Sequence, residues 1–223
     1  GNERPEMLLC LHEEHAVAIA HGYAKVTGRA MAVALHSNVG LMHGSMAIFN
    51  AWGDRAPMLI LGANGPMDAA QRRPWIDWLH STQDQGALIR SFTKWDDQPG
   101  SANALPEAMA RGWKITNTSP MAPVYINLDA GWQEAPVEPD LVWPDLARHA
   151  PLAPPCPDAG LLDQAVRALQ AAKSPVILMG RGVRSAAAMK MRADLAERCG
   201  AMMVSDLKVG TMVPTDHPNH VGA

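Results

Sequence analysis

The fold is decided by residues 10–37, which read CLHEEHAVAIAHGYAKVTGRAMAVALHS. This stretch starts at the end of an apolar run, Met7–Leu11, that predicts a strand, and it continues as an amphipathic helix to Val26. After a turn at Gly28, the apolar run Met31–Leu35 predicts a second strand. A strand, a helix and a strand in this order predict a βαβ unit and therefore a parallel sheet.

Two groups that can move protons follow the ends of these two predicted strands. Glu13 comes after the first strand, and His36 comes after the second, 23 residues later. Ligands of open α/β sheets bind outside the carboxyl ends of the strands, so we expect both groups to face one site. From the residues alone, Glu13 could equally be an acid that stabilises a helix N-terminus. A lone histidine such as His36 more often satisfies a neighbouring carbonyl group.

Other histidines and glycines are weaker candidates. His12 and His15, three positions apart, could share a helical face and bind a metal ion. There is no HExxH motif, so we predict no metal site in this chain. His43 could point toward the same edge as His36, although packing would explain it as well. Gly180 and Gly182 form a Gly-x-Gly turn that lacks the third glycine of the dinucleotide-binding fingerprint.

The rest of the chain alternates helical and strand patterns. Helices are predicted over residues 41–52, 102–116, 159–172 and 185–199, and strands over Pro57–Gly62, Phe92–Trp95, Pro123–Leu128, Pro175–Gly180 and Ala201–Ser205. Seven prolines in 22 residues, from Pro136 to Pro157, indicate a linker. We therefore predict an α/β protein, with a parallel sheet covered by helices on both faces over residues 1–135. A linker over 136–158 would lead to a partial Rossmann-like domain over 159–223.

Composition excludes several functional classes. The net charge of −3 offers no basic surface for nucleic acid or for a membrane. No apolar run approaches the roughly 20 residues that span a bilayer. The three cysteines are widely spaced, which favours free thiols and a cytoplasmic protein. Because the chain lacks an initiator methionine and ends in a predicted loop, we expect a fragment of a larger protein.

The stretch Leu11–Gly28 resembles the pyrimidine-binding domain of thiamine-diphosphate-dependent enzymes, in the acetolactate synthase and benzoylformate decarboxylase group. In that group a glutamate precedes a helix that ends in Gly-Tyr-Ala, as Gly22–Ala24 does here. The resemblance continues through residues 35–37, 50–52, 57–62, 93–95 and 122–125, and residues 175–217 are similar to the central domain. The Leu-His-Ser sequence at 35–37 favours the benzoylformate decarboxylase side, because acetolactate synthases usually have Thr-Ser-Gly-Pro-Gly there.

The resemblance implies an activity and roles for individual residues. Glu13 would hydrogen-bond the pyrimidine nitrogen of thiamine diphosphate and promote the tautomer that generates the thiazolium ylid. The ylid would attack a 2-keto acid and the thiazolium would serve as electron sink, which makes the protein a lyase or a carboligase. His36 would donate a proton to the substrate or orient it, and Ser37 and His43 would lie on the same substrate side.

The resemblance also implies parts that this chain lacks. A third domain, absent here, would hold Mg²⁺ and the diphosphate across the subunit interface of a homodimer or homotetramer. We therefore expect the chain alone to bind the cofactor weakly and to be inactive. The alternative is a non-catalytic or nucleotide-binding α/β module that uses the turn at Gly180–Gly182.

Overall fold

The computed structural model describes residues 4–137, 139–210 and 212–222. The chain divides into two compact units, Gly1–Pro154 and Pro155–Ala223. This division falls inside the proline-rich stretch 136–158, and the limits of the predicted domains stay a prediction. Among the described residues, no helix has both the length and the apolar character needed to cross a bilayer.

The first unit contains a four-stranded sheet in the order β1-β2-β4-β3, with parallel pairing at each step. Its strands are β1 (Met31–Ala34), β2 (Met58–Asn64), β3 (Trp95–Asp97) and β4 (Pro123–Asp129). Its helices are α1 (Glu13–Thr27), α2 (Ser37–Gly53), α3 (Asp77–His80), α4 (Leu105–Asn117) and α5 (Ala130–Gln133). Short 3-10 turns occur at Ala69–Gln71, Gly86–Leu88, Arg90–Phe92, Ala102–Ala104 and Leu146–His149.

Side chains of the central strands alternate between two apolar layers. Met58 and Ile60 of β2 pack in a layer with buried residues of α1 and α2. Leu59, which lies between them in the sequence, packs on the opposite face with Ala108 of α4. Successive side chains of a strand point to opposite faces, so a sheet with helices on both faces needs apolar residues at every position of its central strands. The predicted fold class is confirmed.

The strand predicted at Met7–Leu11 is wrong. These residues form no strand, and the side chains of Leu9 and Leu11 are 92% and 100% exposed. A strand requires a neighbour that satisfies its backbone groups, and nothing in the described part of the chain pairs with this segment. Apolar composition alone therefore misled the prediction.

Several element boundaries differ from those predicted, among them the starts of α2 and β3. Helix α2 begins at Ser37, four residues early, because the amide of Gly40 already donates to the carbonyl oxygen of His36 at 2.7 Å. The third strand begins at Trp95, since Arg90–Phe92 form a 3-10 turn.

The second unit contains a two-stranded sheet in the part of the chain that the structure describes. Strands β5 (Val176–Met179) and β6 (Met202–Ser205) pair in parallel, and helices α6 (Ala159–Ala171) and α7 (Ala186–Cys199) accompany them. Met179, Ala196 and Met203 lie in its buried core. The alternating pattern predicted for this half of the chain is therefore confirmed.

Candidate functional site

Glu13 is the first residue of α1 and lies against the first turn of α2. His12 caps α1, because its Nδ1 accepts a hydrogen bond from the amide of Glu14 at 3.1 Å. A Cβ atom at Gly40 would lie 3.0 Å from both Cγ and Oε1 of Glu13. The carboxylate approaches this turn of α2 more closely than a side chain at residue 40 would normally allow. The Glu13 side chain remains 27% exposed and is therefore accessible to a ligand.

His43 is the predicted site residue that the structure brings next to Glu13. Its Nδ1 lies 3.7 Å from Oε2 of Glu13, so the two groups form an ion pair when the imidazole is protonated. Its ring also stacks on the ring of His12, with centroids 5.0 Å apart and planes 14° from parallel. His43 therefore lies directly beside the Glu13 carboxylate.

His12, Glu13 and His43 also form a set that could hold a metal ion, with one ligand atom from each within 4.8 Å of the others. The sequence instead paired His12 with His15, whose ring centroid lies 5.6 Å away. Metal binding would compete with the helix cap. While Nδ1 of His12 accepts the Glu14 amide, the proton of the neutral ring is on Nε2. This hydrogen bond therefore favours the cap over metal ligation.

A cleft of about 190 Å³ opens at the carboxyl ends of β1, β2 and β4. Its polar lining includes His36, Ser37, Asn64, Arg73, Asp77 and His80. His36 lines this cleft, whereas Glu13 and His43 do not, so the two predicted proton-transfer groups, Glu13 and His36, do not share this pocket. The link between those places is the first turn of α2, which begins at Ser37 and carries Gly40.

His36 meets a second histidine in this cleft. The rings of His36 and His80 contact each other edge to face, with centroids 5.0 Å apart and planes 74° from parallel. Ser37 supports the pair, because its Oγ lies 3.0 Å from both the carbonyl oxygen of His80 and Oδ1 of Asn38. Ser37 is 3% exposed and has a φ of +53°, a conformation that is costly for a residue other than glycine.

The loop after β2 is fastened to the ends of the strands. Asn64 donates to the carbonyl oxygen of Thr82 at 3.0 Å and accepts from the Thr82 amide at 2.8 Å. The amide of Gly65 donates to the carbonyl oxygen of His80 at 3.0 Å. Asp129, the last residue of β4, accepts from the amide of Met67 at 2.7 Å. These bonds fix one wall of the cleft on the rigid sheet.

Asp77 is a charged group inside that wall. It is 3% exposed and accepts a hydrogen bond from the Arg73 amide at 2.6 Å. That backbone hydrogen bond lowers the pKa of Asp77; burial opposes it, and the Arg73 guanidinium adds to it. Arg73 also donates to Oε1 of Glu134 at 3.0 Å. The guanidinium therefore bridges the two carboxylates at this end of the cleft.

His80, Arg73 and Asp77 were not predicted as site residues. The available signal was the loop Asn64–Asp84, which follows a strand and is long for a connection in a compact domain. No motif distinguished its members from ordinary polar loop residues. Their proximity to His36 depends on the folded path of the loop.

The Gly180–Gly182 turn packs against the guanidinium group of Arg192. A Cβ atom at Gly182 would lie 3.0 Å from Nη2 of Arg192. Arg192 also donates to the carbonyl oxygens of Val183 at 2.6 Å and Met212 at 3.1 Å. The next helix, α7, begins only at Ala186, so the turn does not lead directly into a helix N-terminus as a dinucleotide fingerprint does.

Two family descriptions match separate parts of this chain. Residues 1–88 match "Thiamine pyrophosphate enzyme, N-terminal TPP binding domain", and residues 162–223 match "Thiamine pyrophosphate enzyme, central domain". The chain belongs to the thiamine pyrophosphate enzymes. Thiamine pyrophosphate is a synonym of thiamine diphosphate, so the family resemblance read from Leu11–Gly28 is confirmed.

Relatives of this chain include a decarboxylase and a synthase. The chain is 28% identical to benzoylformate decarboxylase of Pseudomonas aeruginosa over 193 residues, which are 86% of this chain and 35% of that protein. It is 30% identical to the acetolactate synthase large subunit of Corynebacterium glutamicum over 223 residues, 96% of this chain and 33% of that protein. The chain therefore spans about a third of the length of these curated relatives.

A solved structure shares the fold of this thiamine pyrophosphate enzyme chain. The crystal structure of benzoylformate decarboxylase from Polynucleobacter necessarius superimposes with a TM-score of 0.81 and 22% identity, over 97% of this chain and 39% of that one. Glu13, His43 and the cleft residues from His36 to His80 all lie within the part matched to the TPP binding domain.

Proposed function

We propose that the protein carrying this chain is a thiamine-diphosphate-dependent lyase or carboligase that acts on 2-keto acids. Membership of the thiamine pyrophosphate enzymes supports the cofactor, and the names of the two relatives support decarboxylation or acyl transfer. The observation that carries the proposal for this chain is the Glu13 carboxylate, held against Gly40 and still partly exposed.

The residues around Glu13 fit the pyrimidine half of the cofactor. The glycine at position 40 leaves the carboxylate room, and the N-terminal turns of both α1 and α2 lie beside it. The partly exposed carboxylate can accept a hydrogen bond from a ring nitrogen and share a proton with it. The bound cofactor would supply the electron sink for breaking the bond to the carboxylate.

We assign the substrate side to His36 and Ser37. His36 lines the cleft beside the first turn of α2, where its ring can donate or accept a proton. Ser37 fixes that corner through its buried hydroxyl group. His43 contacts Glu13 and does not line the cleft, so its proposed role is to orient the carboxylate.

Three finer statements belong to the same proposal. Mg²⁺ would accompany the diphosphate in a part of the protein outside this chain. The face of α2 formed by Met42, Met46 and Phe49 is 50%, 55% and 46% exposed, and we propose that another subunit of a homodimer or homotetramer covers it. The three cysteines are free thiols, which suits the cytoplasm.

The test is Glu13→Gln in the full-length protein loaded with thiamine diphosphate. Loss of the carboxylate should slow exchange of the thiazolium C2 proton, followed by NMR in D₂O, and turnover of a 2-keto acid by about 10²- to 10⁴-fold. Glu14→Gln is the matched control, since Glu14 is the exposed neighbour in the same helical turn. Wild-type exchange and turnover in Glu13→Gln would contradict the assignment.

A further inference from the structure

The two oxygens of the Glu13 carboxylate meet different parts of α2. A Cβ atom at Gly40 would lie 3.0 Å from Oε1, and Nδ1 of His43 lies 3.7 Å from Oε2. Gly40 and His43 are three positions apart in α2, so they lie on the same side of the helix. The carboxylate therefore lies between a gap at one residue and a ring at the other, and its position depends on where that ring lies.

The contact between His43 and Glu13 does not fix the His43 ring by itself. The His43 side chain is 54% exposed, and 3.7 Å is too long for a hydrogen bond. A side chain with this exposure keeps much of its rotamer freedom unless a neighbour restricts it. The ring of His12 is such a neighbour, because it stacks on the ring of His43 with centroids 5.0 Å apart and planes 14° from parallel.

His12 is itself held by the start of α1. Its backbone is extended at the N-cap position, and its Nδ1 accepts a hydrogen bond from the amide of Glu14 at 3.1 Å. Serine, threonine, aspartate and asparagine are the favoured N-cap residues, so capping alone does not require an imidazole. The histidine adds a flat ring, and this ring is the part that contacts His43.

We propose that His12 is a positioning residue for the Glu13 carboxylate and acts through its stack on His43. The cap fixes the ring of His12 on α1, the stack restricts the ring of His43 on α2, and that ring limits where Oε2 of Glu13 can lie. His12 would act without contacting the cofactor. The inference rests on the proposed function, because that function requires Glu13 to share a proton with the cofactor.

Two substitutions separate the ring of His12 from its cap. His12→Asn removes the ring and keeps a favoured N-cap side chain, whereas His12→Phe keeps a flat ring and removes the acceptor. In the cofactor-loaded full-length protein, His12→Asn should slow exchange of the thiazolium C2 proton, followed by NMR in D₂O, about threefold to tenfold. His12→Phe should keep about half of the wild-type rate or more. A role limited to the cap predicts the reverse order.

Calorimetry gives a second readout that does not depend on the reaction. The affinity of the cofactor-free full-length protein for thiamine diphosphate should fall about twofold to tenfold in His12→Asn, because the carboxylate is no longer held ready for the ligand. The control is His15→Asn, at an exposed residue of the same helix whose ring is tilted 53° from that of His12. This control should leave exchange and affinity within about twofold of wild type.

A double-mutant cycle tests whether His12 acts through His43. His43→Ala should slow exchange about as much as His12→Asn, and the double variant should be no slower than His43→Ala alone. If the two effects multiply, His12 acts by another route and the inference is overturned. If His12→Phe also slows exchange, the cycle still decides, since only an effect that disappears without the His43 ring supports the inference.

The outcomes separate this inference from the proposed function. If Glu13→Gln slows C2 exchange while His12→Asn exchanges at the wild-type rate, the inference is wrong and the proposed function stands. If the wild-type protein shows neither C2 exchange nor turnover of a 2-keto acid, both proposals fail.

Discussion

Gly40 and Glu13 are a matched pair, since a Cβ atom at position 40 would lie 3.0 Å from Cγ and Oε1 of Glu13 and 3.3 Å from Cδ. These contacts are closer than a side chain normally tolerates, so either the carboxylate or the helix would have to move. The absence of a side chain on one helix thus determines where a charged group of another helix lies. The proposed cofactor contact depends on this arrangement.

Gly40→Ala should therefore displace Glu13 with little effect on stability. An alanine inside α2 favours the helix by up to about 1 kcal/mol, which offsets part of the steric cost. We expect affinity for thiamine diphosphate, measured by calorimetry on the full-length protein, to fall at least tenfold while the unfolding midpoint stays close to wild type. Gly22→Ala is the control, because a Cβ atom there meets nothing within 4 Å. Equal cofactor affinity in the two variants would show that Gly40 does not position the carboxylate.

Asp54 joins α1 to the end of α2 and should make the protein sensitive to acid. Its Oδ2 lies 2.6 Å from Nζ of Lys25 and 2.9 Å from Nε2 of His21. Burial raises the pKa of Asp54, but the hydrogen bonds from Lys25 and His21 outweigh burial, so the pKa lies below its ordinary value. Because the folded pKa is the lower one, this stabilisation is present above the unfolded pKa of about 3.9 and is lost as the pH falls through the folded value.

The variant Asp54→Asn tests the direction of this pH dependence. At pH 7 the variant should lose about 1 kcal/mol of unfolding free energy in urea, and the difference from wild type should shrink as the pH falls below about 4. Glu107→Gln, which breaks the exposed pair with Arg111 on α4, should cost no more than about 0.5 kcal/mol. A difference between Asp54→Asn and wild type that grows in acid would refute the mechanism.

Gly62 is required by the buried Tyr125 on the adjacent strand. A Cβ atom at Gly62 would lie 2.0 Å from Oη of Tyr125 and 2.6 Å from its ring. That hydroxyl group accepts from Gln85 at 2.7 Å and donates to Asn127 at 3.2 Å, so it cannot turn away freely. We expect Gly62→Ala to cost about 3 kcal/mol of unfolding free energy, measured by urea titration.

The control for that measurement is Gly100→Ala, where a Cβ atom meets nothing within 4 Å. This variant should unfold within about 0.5 kcal/mol of wild type. If Gly62→Ala is as stable as Gly100→Ala, the sheet and the Tyr125 network can rearrange more easily than their packing suggests.

Periodicity predicted the elements that bury most of their length. Strand β2 and strand β4 are continuous apolar runs, and each contributes to layers on both faces, so their type was evident without the structure. Met7–Leu11 has the same apolar character, yet it forms no strand because pairing depends on a neighbour and not on composition. Helix α3 was missed for another reason, because its four residues are too few for a helical period to be recognised.

The sequence by itself determined that a helix follows the segment around Glu13, that His36 follows a strand and that the chain is an α/β protein of the thiamine pyrophosphate enzymes. These properties are local patterns or family motifs, which the order of residues carries directly. Only the tertiary structure decided that Glu13 lies against Gly40 and His43, and that His36 lies against His80. Ser37 and His80 are 43 positions apart, and such contacts depend on how loops return to the edge of the sheet. Loop paths follow from many weak bonds acting together, so no short motif could have predicted them.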